Sequence, residues 1–218
     1  MNADAATLGR PHPILSATLE KQCWGFMIGS ALFALGAAPG FVDWAGVSAA
    51  NVCFFIGAWF FTAAGTIQLA LSGNATVEVD GRRHFRTEWL SAATQSVGTL
   101  LFNVSTSAAL HADTITDERR RVWTPDAAGS VAFLVSGVLA VMVLATATRW
   151  WWAPRRRDWW ATQINLLGCI AFGFSAVGAF VTISGQTVNE VVATIGTFVG
   201  AICFLVASAI SLPRWDRT

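Results

Sequence analysis

None of the 14 Lys and Arg residues falls within the six long apolar runs of this 218-residue chain, and no acid lies deep inside one. The runs cover about 22–41, 49–71, 89–110, 127–148, 159–183 and 188–212. Each is long enough to cross a hydrocarbon core as a helix. Charge kept out of apolar stretches of this length selects an all-α, polytopic membrane protein, a six-transmembrane-helix bundle. Residues 1–21 read as a polar N-terminal tail, 22–212 as the membrane domain and 213–218 as a short C-terminal tail. The first run exceeds the apolar core of a cleaved signal peptide and is taken as a span.

Composition supports this reading. Charged residues make up 12% of the chain and hydrophobic ones 54%, against about 25% charged in soluble domains. Most of the 11 Trp fall near run ends, where aromatic belts sit; Trp59 is mid-run. With the N-terminus inside, Arg119, Arg120 and Arg121 are the only basic residues outside. The positive-inside rule therefore predicts both termini in the cytoplasm. The net charge of +1 gives no field to recruit nucleic acid. Between the second and third runs, Val77 and Val79 precede Asp80-Gly81, a type I′ turn pair that predicts a small hairpin.

The run at 89–110 is the most polar. At 100° per residue, Ser91, Gln95, Thr99, Asn103 and Thr106 fall within a sector ~120° wide, flanked by Gly98 and Ser105. Such a stripe is predicted to face other helices or a wet cavity, because unpaired amides are costly against lipid. Gln95, Thr99, Asn103 and Thr106, with Asn165 on the fifth run, are the candidate substrate-binding residues. Hydrogen-bonded glue between helices is the competing use of the same side chains.

Elsewhere the chemistry is sparse. Cys23, Cys53, Cys169 and Cys203 form no CxxC and read as buried apolar residues. His12, His84 and His111 are all outside the runs, so no haem is expected between spans. His111 with Asp113, Asp117 and Glu118 fits no standard metal template. No cofactor, metal or catalytic residue is predicted, and the chain does not read as an enzyme. Arg155, Arg156 and Arg157, between Trp150–Trp152 and Trp159-Trp160, form a basic and aromatic collar suited to anionic lipid headgroups. A homo-oligomer or another membrane protein is the remaining partner class.

The runs pair as three two-helix hairpins. Gly98, Phe102 and Ser105 recur seventy positions on as Gly168, Phe172 and Ser175, and Gly29 and Phe33 precede Gly98 and Phe102 by sixty-nine. In the even runs, Gly57, Ser136 and Gly200 align. Chance sharing between apolar helices is the alternative account. The stretch from Asn51 to Phe61, NVCFFIGAWFF, resembles the N…FxxGSxxF signature of the YrhK-like family, with Ala58 in place of Ser. The resemblance covers about Gln22 to Leu71. It implies a bacterial membrane protein and supplies no catalytic residue. The resulting expectation is a structural or accessory role in the inner membrane. The rival is a transporter or channel for a small neutral solute along the polar face of the third span.

Overall fold

The computed structural model describes residues 16–213. Six long helices dominate it: α1 (Leu19–Gly36), α3 (Val47–Leu71), α4 (Thr87–Ala109), α6 (Thr124–Thr148), α7 (Arg157–Gly178) and α8 (Glu190–Ser211). Between them lie two short helices, α2 (Phe41–Ala45) and α5 (Ile115–Asp117), and a two-stranded hairpin of β1 (Thr76–Val79) and β2 (Arg82–Phe85). Helices α3, α7 and α8, and the unit Ile115–Thr148 that contains α6, are each long and apolar enough to cross a membrane. The outward faces are apolar on α4 as well: Val97, Leu100 and Val104 are each more than half exposed, whereas its polar stripe is buried.

The six helices form a closed ring. Each packs against its sequence neighbour, α1 on α3, α3 on α4, α4 on α6, α6 on α7 and α7 on α8, and α8 returns to α1. Up-and-down order makes α1, α4 and α7 parallel, with α3, α6 and α8 opposed to them. The residue pattern Gly-x-x-x-Phe stands once on every helix of the ring: Gly29 and Phe33, Gly57 and Phe61, Gly98 and Phe102, Gly129 and Phe133, Gly168 and Phe172, Gly200 and Phe204. The residues sit one turn apart on one face. In each hairpin the two patterns interlock. A Cβ on Gly29 would lie 2.8 Å from the Phe61 ring, and one on Gly57 would lie 2.7 Å from Phe33. Gly168 and Gly200 meet Phe204 and Phe172 in the same way, at 2.6 and 2.7 Å. Gly98 faces Phe133, and Gly129 faces Phe102. Glycine lets the backbones approach, and the partner's ring fills the space so made.

All six rings point inward and are at most 3% exposed. The pairs Phe33–Phe61, Phe102–Phe133 and Phe172–Phe204 have centroids 5.1, 5.0 and 5.3 Å apart. Edge contacts at 5.8 to 6.3 Å join Phe33, Phe102 and Phe172 to one another. The middle of the ring is therefore an aromatic plug, held by contacts aromatic rings favour beyond simple burial.

Several boundaries differ from those expected. The first run ends as a helix at Gly36, because Pro39 has no amide proton and Gly40 adopts φ +80°. The fifth ends at Gly178 instead of 183, and residues 179–189 form a loop pinned by a bridge between Val181 and Thr187. The fourth begins much earlier than 127: α5, a π-helical turn at Glu118–Trp123 and α6 run on without a break. The hairpin is as expected, with Asp80 and Gly81 at φ +52° and +72°. In the even helices Gly129, and not Ser136, stands where Gly57 and Gly200 stand. The earlier alignment was two turns out, because Ser136 resembles glycine in size but faces Ser91 instead of a ring.

Candidate functional site

Two cavities enter the ring from opposite ends and stop at the plug. The first, about 190 Å³, opens at the end that carries the start of α1 and the end of α8. Its polar lining includes Gln22, Gln68, Ser91, Gln95, Thr162 and Asn165, and Phe26 and Phe204 close it. The second, about 470 Å³, lies at the other end. Its polar lining includes Asn51, Ser105, Thr106, Ser175, Glu118 and Asp126, and it reaches Phe33, Phe102 and Phe172. The cavities share no lining residue. Phe204 of the first and Phe172 of the second are ring to ring, with centroids 5.3 Å apart.

The polar stripe of α4 faces inward along its length, as expected, but it does not line one continuous path. Gln95 is 4% exposed and faces the first cavity. Thr106 faces the second, about 16 Å further along the helix at 1.5 Å per residue, and donates to the Phe102 carbonyl at 2.8 Å. Thr99 and Asn103, between them, turn to α3 and line neither cavity. Thr99 Oγ1 donates to the Ser96 carbonyl at 2.8 Å and stands over Gly65, while Ser96 Oγ donates to the Gly65 carbonyl at 2.9 Å. Asn103 Nδ2 donates to the Ala58 carbonyl at 3.1 Å and to Thr62 Oγ1. Asn103 and Ser96 thus bond α4 to α3, and Thr99 packs between the two helices on Gly65. Asn165 lines the first cavity with Gln95, but its Nδ2 turns to Cys169 Sγ, 3.9 Å away, and the two amides are not bonded to each other.

Ser91 and Ser136 tie α4 to α6 by exchanging bonds. Ser91 Oγ donates to the Ser136 carbonyl at 3.0 Å, and Ser136 Oγ donates to the Ser91 carbonyl at 2.8 Å. At the second cavity, Asn51 Nδ2 donates to the Ala109 carbonyl at 3.1 Å, and Ser175 Oγ donates to the Ala193 carbonyl at 2.7 Å. Trp123 Nε1 donates to the Ala176 carbonyl at 2.8 Å and packs on Phe180. The amide oxygens of Gln68, Gln95 and Asn103 are buried and have no partner.

Asp126 and Glu118 lie between the third and fourth apolar runs of the sequence, where a loop is expected. The π-helical turn carries the fourth helix past them, so both half-buried carboxylates face the second cavity. The sequence sign was Pro125 followed by an acid, a pattern common in a first helical turn, which hid the continuation behind it. Among the described residues no group of His, Cys, Asp or Glu is arranged to hold a metal ion, and His111 joins no such cluster. Cys23, Cys169 and Cys203 are buried thiols and Cys53 is half-buried; all four are free.

The chain matches no protein-family model, and no curated protein or solved structure matches it.

Proposed function

We propose that the chain is a gated passage for small neutral solutes, built from six spans with both termini in the cytoplasm of a bacterial inner membrane. One observation carries this reading: two cavities with polar lining residues approach each other from opposite ends of the ring until only the aromatic plug lies between them, with Phe172 of one against Phe204 of the other. A purely structural bundle gains nothing from keeping the unpaired amide oxygens of Gln68 and Gln95 beside the first cavity, since each costs about 1–3 kcal/mol. The aromatic plug is then the closed gate. The first cavity lies on the cytoplasmic side. Helices α1 and α4 count as spans in this reading because the polarity of α4 is turned inward and that of α1 is gathered at Glu20–Gln22, its first turn.

The structural or accessory role expected from the sequence keeps one support. In the middle of the stripe Asn103 bonds α4 to α3 and Thr99 packs on Gly65 of α3, instead of lining a path. The basic collar is proposed to rest on anionic headgroups: Trp150, Trp151 and Trp152 are each at least 70% exposed beside it. Two of its arginines also have partners in the chain, Arg156 on Asp158 at 2.5 Å and Arg157 on the Ile210 carbonyl at 2.5 Å. The YrhK-like resemblance is compatible with this reading, because Gly57 and Phe61 of that stretch are two of the interlocked residues.

Stopped-flow light scattering on vesicles containing the purified protein tests the passage. Glycerol entry at least several-fold above empty vesicles is expected. Entry at the empty-vesicle rate, in vesicles of either inserted orientation, refutes it.

A further inference from the structure

At the cytoplasmic-side cavity four of the five lining hydroxyls have their protons committed, Ser208 being the exception. Those of Ser91 and Ser136 go to each other's carbonyls, that of Thr162 to the Asp158 carbonyl at 2.8 Å and that of Ser211 to the Ala207 carbonyl at 2.9 Å. The fully buried polar atoms without a partner at this cavity are both acceptors, the Oε1 atoms of Gln68 and Gln95. They come from α3 and α4, adjacent in the ring. A buried carbonyl oxygen left unpaired is satisfied by an occupant that brings an N–H or O–H group. No charged side chain lines the cavity. A bare ion would therefore lose its hydration without a countercharge in return. The space, about 190 Å³, holds only a few heavy atoms beside the Phe204 ring.

From this the geometry points to a binding site at Gln68 and Gln95 for a neutral solute of a few heavy atoms with at least two hydrogen-bond donors. Its role as the selectivity site rests on the passage reading; the binding itself does not. Solutes of the same size that only accept hydrogen bonds leave both oxygens unmet and are discriminated against. That discrimination is the larger kind available to a protein, because the penalty falls on the site's own buried polar groups.

The test uses the full chain in vesicles and three probes of similar size. Acetamide and glycerol donate hydrogen bonds; dimethyl sulfoxide only accepts them. Acetamide and glycerol are expected to enter at least tenfold faster than dimethyl sulfoxide after correction for empty vesicles. Q95L and Q68L, each checked for an unchanged elution profile, are expected to abolish that preference. In parallel, acetamide is expected to raise the thermal midpoint of the detergent-solubilised wild type more than that of Q95L, with no such difference for dimethyl sulfoxide. Equal enhancement of all three solutes, unchanged in both variants, overturns the site and leaves the passage standing. No flux together with the acetamide-specific midpoint difference overturns the passage and leaves the site. No flux and no midpoint difference overturn both.

Discussion

The ring of Phe33 occupies the place that a side chain at position 57 would need: a Cβ on Gly57 would come within 2.7 Å of it. The relation is mutual, since Phe61, one turn from Gly57, fills the space left by Gly29. It repeats in the other two hairpins. Each helix thus contributes one absence and one ring, and the six rings meet where the two cavities end. Packing and the candidate gate are therefore one feature, and substitutions can separate their consequences.

Gly168→Ala should force the Phe204 ring out of its position, since the new methyl would meet it at 2.6 Å with Cys203 Cβ at 3.0 Å behind. Overpacking of this kind costs about 1–3 kcal/mol. Gly173→Ala on the same helix has nothing within 4 Å and serves as the control. Thermal unfolding in detergent should show a lowered midpoint for the first and an unchanged one for the second. Equal midpoints would mean that the rings move aside freely and that the interlock is not what closes the hairpin.

Asn103→Leu removes the bond to the Ala58 carbonyl and the one to Thr62, but touches neither cavity. Interhelical bonds of this kind average about 0.6 kcal/mol. The replacement also removes an unpaired buried oxygen, which offsets part of that loss. A midpoint within a few degrees of the wild type and an unaltered glycerol rate are expected. A rate that falls with an unaltered midpoint would put Asn103 in the path and not in the glue.

The inward stripe of α4 was legible because helical periodicity and the cost of lipid-exposed amides both point the same way. The turn at Asp80-Gly81 was legible because few residues accept that backbone. The end of α1 was partly hidden: Ala37 and Ala38 continue the apolar composition, and only Pro39-Gly40 marks the stop. The extension of α6 past Asp126 was invisible to a rule that equates charge with loops, because a π-helical turn can carry charged residues along the rim of a cavity. The interlock was half seen. Gly98 and Phe102 were matched to Gly168 and Phe172, but Gly129 and Phe133 were missed, since apolar composition fixes a helix and leaves its depth free. What no pattern in one helix could reveal is that the stripe divides into cavity, glue and cavity. That depends on which neighbour lies across from each residue.

Phe204→Ala takes one ring from the plug that separates the cavities, leaving Phe172 with Phe33, Phe102 and Phe133 as its ring neighbours. In a soluble core a change of this size costs about 3–5 kcal/mol, so Phe204→Leu, which keeps much of the volume, is the companion. Both should raise glycerol entry, alanine more than leucine, with dimethyl sulfoxide gaining in the alanine variant as the path widens. If both variants stay folded and neither changes any rate, the plug is not the barrier.

Single cysteines placed along α4 in a background without Cys23, Cys53, Cys169 and Cys203 distinguish a divided path from an open one. Gln95→Cys faces the first cavity and Thr106→Cys the second, whereas Thr99→Cys and Asn103→Cys point into α3. A membrane-impermeant thiol reagent should therefore label position 95 only from the side where α1 begins and α8 ends, and position 106 only from the opposite side. Positions 99 and 103 should stay protected from both. Adding Phe204→Ala to the first variant should let reagent from the far side reach position 95, because the removed ring is the plug residue that lines its cavity. Labelling of 99 or 103 in the otherwise intact protein would show water running along the whole stripe. Protection of all four would show dry ends as well as a dry middle, and the bundle would then be a scaffold.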